Sequence, residues 1–242
     1  MSALGLKLAA RYSYRPFSLG FCGPQGFQAK KTITHYLLGE KNIEKEVKAV
    51  FKKFVGAYPY YQLIAWKNGL KDVFNEKVIE AYWVGNKLLE KVSKKDIALM
   101  ILGAFSFPGW LPLPAAKKII EDLPISALPH HTFHVLFLGS VTDTVAIKGK
   151  AIDLCRISWG QVKKVSGDKL TLEYKPLVLK PRPRLAGKIK KKISYEPNFG
   201  IKIKAGDWVS FHWDFVCDKI NKNQVNNLEK YTLQNLKLYA QK

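Results

Sequence analysis

Three cysteines and five histidines carry the soft or nucleophilic chemistry available to this 242-residue chain, and their spacing decides what they can do. One group lies in "LPHHTFHVLFLG", residues 128–139. On a helix, His130 and His134 would stand one turn apart and could share a metal ion. The residues that follow are aromatic or β-branched and come after Pro129, a pattern that predicts a strand. On a strand, His130 and His134 share a face but sit roughly 13 Å apart at about 3.3 Å per residue, too far for one ion. His131 then points the other way, with Phe133 and Val135. Such histidines either meet a ligand from elsewhere in the chain or serve as hydrogen-bonded residues at a junction.

A second group is "LGFCGPQGF", residues 19–27, which sets Cys22 in a tight Gly-Pro turn close to Gln25. A cysteine with a nearby glutamine and a distant histidine is the set that cysteine hydrolases use, the glutamine stabilising an oxyanion. The local signatures of those enzymes are absent, so the plainer reading is a turn that docks an N-terminal arm onto the helices. A third group joins two stretches. "KAGDWVSFHWDFVCDKI" (204–220) places His212 among aromatic residues, with Cys217 a few positions on, and "DLCRISWGQVKKVSGDKLTLEY" (153–174) opens with Cys155. A combined site is open to these groups: Cys22 and a histidine of 130–134, His131 or His134, beside Cys155. The bland alternative is a buried thiol and a core histidine, since free cysteine is commonly buried without function.

The elements that must position these residues change character along the chain. Residues 1–28 read as irregular, because Pro16, Gly20, Gly23 and Pro24 interrupt any helical period. From about 30 to 123 the period is helical. "NIEKEVKAVFKKFV" repeats apolar residues on one face, with Asn42 as a cap; "YYQLIAWKNG" ends at a glycine; "NEKVIEAYWVGNKLLEKV" starts from Asn75 as a cap. "KKDIALMILGAFSF" is apolar nearly all round and predicts a buried helix, and "LPAAKKIIEDL" carries Pro114 in its first turn, where the missing N–H costs nothing. After Pro129 the pattern alternates. "TFHVLFLG", "TVAIKG", "CRISWGQVKKV", "KLTLEYKPLVL", "KIKKKISY" and "GIKIKAGDWVSFHW" predict short strands of a small barrel or sandwich. "NKNQVNNLEKYTLQNLKLY" returns to helix, with Val225, Leu228, Tyr231, Thr232, Leu236 and Tyr239 on one stripe.

Composition sets outer bounds. A hydrophobic content of 47% and six tryptophans demand packed cores and exclude disorder. A net charge of +21 draws the chain toward anions, although the only true basic run is "LKPRPRLAGKIKKKI", 179–193. Its Arg182, Arg184, Lys188, Lys190, Lys191 and Lys192 are the candidate phosphate contacts of a nucleic-acid binder, with Trp159, Tyr174, Trp208 and Trp213 as stacking platforms. The competing reading is a solvated hairpin or one that docks an acidic protein. Three widely spaced cysteines suit a reducing compartment. The N-terminus lacks a signal-peptide core, and the most apolar run, 97–107, is too short to span a bilayer, so a soluble, cytoplasmic protein without membrane insertion is expected.

Cys155, Gly160, Val162, Gly167, Asp168, Gly206, Asp207, Trp208, Val209, His212, Phe215, Lys219 and Ile220 follow in an order, and with a Cys-to-Gly-to-Val spacing, that resembles the HypC family of hydrogenase-maturation chaperones. The resemblance covers roughly 153–240. The chain departs from the pattern in its mid-chain cysteine, in Trp159 where a proline is usual before the glycine, and in a longer, more basic 176–203. The resemblance implies an OB-like barrel with a helical tail. It also implies that Cys155 and His212 form a functional pair that presents an iron fragment bearing cyanide and carbon monoxide on its way to a [NiFe]-hydrogenase. A thiolate is a strong ligand for low-spin iron, and an imidazole adds a second bond or a hydrogen bond. Over the whole chain, "SLGFCGP" with "PHHTFHV" and "CRISWGQV" is similar to a bacterial family of this length whose chemistry is not defined, which ties the two halves together.

The expectation is therefore an α+β protein. A mainly helical domain with an irregular arm (1–128) precedes a small OB-like β-barrel, HypC-like from about 153, with a C-terminal helix (129–242). The expected role is a non-enzymatic accessory or chaperone in [NiFe]-hydrogenase maturation, with an iron fragment in transit on Cys155 and His212 and, as further ligands, Cys22, His131 and His134. Its partner would be a hydrogenase maturation protein or the hydrogenase large subunit. The rivals are an OB-type nucleic-acid binder and a cysteine-dependent enzyme using Cys22.

Overall fold

The computed structural model describes residues 3–140 and 145–241. The protein is of the mixed α+β class, with an N-terminal helical region and a C-terminal helix. Helices α1 (Ala3–Ser18), α2 (Phe27–Leu37), α3 (Glu44–Phe51), α4 (Tyr58–Lys67), α5 (Glu76–Trp83), α6 (Lys94–Met100) and α7 (Leu113–Glu121) form the N-terminal body. Next come α8 (His131–Phe133) and α9 (Lys150–Cys155), then strands β1 (Ser158–Ser166), β2 (Lys169–Tyr174), β3 (Leu177–Val178), β4 (Arg184–Leu185), β5 (Ile189–Ser194), β6 (Trp208–His212) and β7 (Phe215–Ile220), and last α10 (Lys222–Tyr239).

Several sequence expectations hold at the level of single residues. Asn75 caps α5 by accepting the Lys77 N–H, and Pro114 sits in the first turn of α7. The predicted stripe of α10 is its buried face, including Val225, Leu228, Tyr231, Thr232 and Leu236. The apolar stretch after Lys94 continues α6 as a π-helical turn over Ile101–Ser106; Ile97, Met100, Ile101 and Phe105 are buried, but Leu99 and Phe107 face solvent.

Others need correction. Residues 3–18 are helical rather than irregular. Pro16 falls in the last turn, where it removes one backbone bond without breaking the helix, and the real break comes at Gly20 and Gly23, both with positive φ. Asn42 does not cap α3: it adopts φ 63°, and Ile43 occupies the cap position with no side-chain bond. Residues 130–138 are helical, not a strand. His130 caps α8 by accepting the Thr132 N–H at 3.2 Å, and the helix widens into a π-turn over His134–Leu138. Every side chain from His130 to Phe137 is buried, and an element surrounded by protein carries no polar face from which its period can be read. Cys155 ends a helix instead of opening a strand, and 145–149 and 200–207 hold no strand; residue 144, the first of the predicted strand "TVAIKG", lies outside the described residues.

Five strands pair in the ring β1-β2-β5-β7-β6, closed by β1 against β6, with β3 and β4 as a separate pair. The interior of the ring holds its own core of Val162, Leu170, Leu172, Ile193, Val209, Phe211 and Val216. A second core runs continuously from Leu6 of α1 through the helices to Leu236 of α10, and takes in Cys155, Phe215 and Cys217. Strand alternation explains this division. On β6, Val209 and Phe211 point into the ring, so Ser210 and His212 point out of it, toward α1. Tyr12 Oη meets Ser210 Oγ at 2.9 Å, and Arg11 pairs with Asp218 of β7 at 2.9 Å. The outer wall of the ring thus packs on the helical body, and the candidate site lies in that seam.

Candidate metal centre

His131, Cys155 and His212 converge. One ligand atom from each lies within 4.8 Å of the other two, and all three residues are buried. They form the floor of a cavity of about 550 Å³ that Cys22, Gln25, His134 and Trp213 also line. Gln25, Lys52, Lys53 and Trp110 at its rim are exposed, so the cavity opens to solvent. The facing of Cys155 and His212 agrees with the expected pair, but the place does not: they meet outside the barrel wall, because His212 sits at an outward position of β6.

The orientation of His212 starts from a proline. In α1 the carbonyl of Tyr12 would normally accept the N–H of residue 16, and Pro16 has none. The freed carbonyl accepts His212 Nδ1–H at 2.9 Å. A carbonyl can only accept, so the proton of a neutral His212 is on Nδ1 and Nε2 carries a lone pair. That Nε2 is buried and has no hydrogen-bond partner. Burial also pushes the imidazole down to about 4, so it stays neutral.

His131 is held by a similar argument. The Tyr82 hydroxyl donates to the Gly56 carbonyl at 2.6 Å, which leaves the tyrosine oxygen to accept from His131 Nδ1 at 3.0 Å. His131 Nε2 then faces the Cys155 carbonyl oxygen at 2.9 Å. A carbonyl can only accept and a neutral ring has only one N–H, so His131 serves one of these two contacts at a time, through Nδ1 or Nε2. Burial, and next the neighbouring His212 and His134, lower the basicity of His131 well below the ordinary range, so the ring stays neutral. To ligate a metal through Nε2, His131 would exchange its contact with the Cys155 carbonyl for the ion, with Nδ1 held by the Tyr82 oxygen.

Cys155 closes the set. Burial pushes its thiol up to about 12, partly offset by the Trp213 indole N–H alongside. With the His212 imidazole pushed down to about 4, that of His131 lowered as well and the thiol pushed up to about 12, a thiolate–imidazolium pair is disfavoured on this floor. A metal bound there would displace the thiol proton. On a tetrahedral ion with bonds of about 2.0 Å to nitrogen and 2.3 Å to sulfur, the ligand atoms stand about 3.5 Å apart, so the cluster needs to contract by little more than 1 Å. Two imidazoles and a thiolate with no carboxylate suit borderline first-row ions such as zinc or iron(II), and not magnesium or calcium.

The remaining candidates divide. Cys22 is half-buried on the turn after α1, and burial first, then the nearby Cys155, raises its thiol above the ordinary range. His134 lies one helical step from His131, their rings 6.2 Å apart and nearly parallel, with Nδ1 on the Tyr60 hydroxyl at 3.1 Å. Both line the cavity without joining the three-residue cluster. Cys217 is sealed behind β7, its thiol directed at the Phe215 carbonyl. Arg182 lies between β3 and β4, and Arg184, Lys188, Lys190, Lys191 and Lys192 lie on the β4–β5 segment; none lines the cavity, and Lys191 pairs with Asp214 at 2.6 Å. Of the aromatics proposed to stack on bases, Trp159 and Tyr174 are buried and Trp213 lines the cavity, so they do not form one exposed platform with that run. Sequence reading offered Trp213 only as a base-stacking platform and missed its place in this cavity. Its signal is conformational: Trp213 and Asp214 have φ of 52° and 57° in the two-residue β6–β7 turn, a conformation that usually calls for Asn or Gly.

Fold and site together define an α+β protein with a buried Cys-His pocket in the seam between a five-stranded ring and a helical body. The chain belongs to the family of unknown function DUF6390, which it matches over residues 1–242. No curated protein and no solved structure matches it. Among the described residues, no helix is long and apolar enough to cross a membrane.

Proposed function

We propose that the chain is a non-enzymatic metal-binding accessory protein in which His131, Cys155 and His212 hold a borderline transition metal and pass it on. The observation that carries this reading is the convergence of the three ligand atoms within 4.8 Å, with His212 Nε2 unpartnered, on the floor of an open cavity. Three protein ligands hold an ion while leaving a coordination position for a delivered group or an acceptor's ligand. Cys22, on the turn at the cavity wall, supplies an exchangeable thiol.

The cargo we infer is iron. The resemblance to the HypC family pairs Cys155 with His212, and these two residues share the pocket floor. On this reading the ring plays the OB-like part, the helical body provides His131 and the partner surface, and the recipient is a hydrogenase maturation protein or the hydrogenase large subunit.

The test is anaerobic loading of the full chain with iron(II), zinc or cobalt(II), followed by metal analysis. The expected result is one ion per chain, lost in Cys155→Ser and His212→Ala but kept in Cys217→Ser. Equal loading of all three variants would refute the site. Co-purification with maturation proteins, read by infrared bands of cyanide and carbon monoxide, tests the cargo separately.

A further inference from the structure

The cavity above the metal floor is walled by aromatic rings for which the metal has no use. Phe21 on the turn after α1, Phe54 between α3 and α4, Trp83 at the end of α5, Trp110 before α7 and Trp213 in the β6–β7 turn all line it. Five separate segments thus each bring one ring to the same space. Its volume, about 550 Å³, falls within the about 300–1,000 Å³ of small-molecule sites.

The rings are held in place. Phe21 packs on Trp213 with centroids 4.6 Å apart, and Phe54 on Phe17 at 5.0 Å. The turn that carries Phe21 is seated directly on Phe54: a Cβ at Gly23, which has φ +79°, would lie 2.6 Å from the Phe54 ring. Trp213 keeps a φ of 52°, a costly conformation for a bulky residue, and such strain gathers at ligand clamps. Its indole N–H is engaged by the Cys155 sulfur, and Ser13 by the Tyr61 hydroxyl, so neither polar group asks for a ligand atom. What Trp213 offers to the cavity is ring surface. Charge is disfavoured inside as well, since burial holds His131, His134, His212 and Cys155 in their neutral forms. Lys52 and Lys53 at the mouth are exposed and keep their charges in water.

We propose that the cavity binds one small, uncharged, planar aromatic molecule of one or two rings, packed against Phe21, Phe54, Trp110 and Trp213. Fixed rings favour a flat partner, which meets them in offset or edge-to-face contact. The proposal goes beyond the metal reading and needs no bound ion. With an ion on the floor, the molecule would cover it from solvent.

The probe is 1-naphthol, titrated into the metal-free full chain by isothermal calorimetry. Saturable binding of one molecule per chain is expected. Decahydro-1-naphthol, which has the same skeleton but is not flat, and 1-naphthoate, which is charged, should each bind at least about tenfold more weakly. Val55→Trp, which fills the cavity from its wall, should abolish binding. Trp110→Ala, at the exposed rim, should weaken it by about tenfold, the scale of one aromatic contact, and keeps the test open should Val55→Trp disturb folding. Absence of saturable naphthol binding, equal affinity for either comparison compound, or affinities within about twofold of the parent in both variants would overturn the proposal. Because the titration uses metal-free protein, its failure leaves the metal reading standing, and failure of metal loading leaves this one standing.

Discussion

The neutrality of the buried imidazoles has a consequence for stability that can be worked through. His130, His134 and His212 are each pushed down to about 4 by burial, and His131 is pushed down as well. In the unfolded chain a histidine titrates near 6.5. The unfolded state therefore binds more protons between those values, and stability falls as pH falls through that window. At about pH 5 each of the three resides roughly 1.5 units below its unfolded value, which costs about 2 kcal/mol apiece, or about 6 kcal/mol together. That is comparable to the whole stability of a typical domain, about 5–15 kcal/mol. Asp218, raised by burial against the pull of Arg11, acts in the opposite sense, and the lowered Asp96 and Asp207 contribute only below the ordinary carboxylate range. The metal-free protein should lose most of its urea resistance, followed by tryptophan fluorescence, between about pH 7 and 5, and His134→Gln should lessen that loss by roughly 2 kcal/mol. An unfolding free energy that changes by less than about 1 kcal/mol over the window, or NMR signals of His130, His131, His134 or His212 titrating near 6.5, would refute the picture of four buried neutral rings.

Pro16→Ala restores an N–H that competes with His212 for the Tyr12 carbonyl; it should leave the melting temperature unchanged or higher while weakening metal binding about tenfold, as second-layer changes do, read by competition with a chromogenic chelator. Gly85→Ala places a Cβ 2.0 Å from the Tyr231 ring at φ +95°, and should cost at least about 3 kcal/mol in urea unfolding by prying α10 from the helical body. Single-stranded oligonucleotide binding should follow charge alone: Lys190→Gln with Lys192→Gln weakens it uniformly and lowers its salt dependence by roughly two ionic contacts, while Trp208→Ala leaves it within about twofold in a filter-binding titration.

Much of the architecture was legible because it obeys periods. The stripe of α10, the Asn75 cap and the strands from Ser158 to Ser194 follow from alternation and capping chemistry acting over a few residues. Two segments were not legible, and both build the site. Residues 130–138 are enclosed on all sides, so their composition reflects burial and not conformation. Pro16, Gly20 and Gly23 looked like breakers scattered through an irregular arm; only the first lies in the helix, where its missing N–H is used by a histidine almost two hundred residues away. The candidate ligands, His131 and His212 among them, could be chosen from residue type, but how His131 reaches the site could not, because 130–138 reads as a strand and is helical.

The placement of the pocket in the seam bears on how cargo could leave. Cys155 belongs to the end of α9, His212 to the outer wall of the ring and His131 to a helix of the body, so no single element holds two of the three ligands. A slight separation of ring and body would change the ligand distances and leave the apolar cluster inside the ring intact, while loosening the second core, which takes in Phe215 and Cys217 of the outer wall. The seam is fastened beside the ligands by polar contacts: Arg11 to Asp218, Tyr12 to Ser210, and Tyr12 to His212. Such contacts contribute about 1 kcal/mol each and can be exchanged for contacts with a partner, whereas the apolar packing of Phe215 and Cys217 on the body holds the rest of the seam. A protein meant to keep its metal would set two or more ligands on one rigid element, as a pair of histidines a turn apart on a helix does. Distribution over three elements fits the proposed role, in which the ion is passed on.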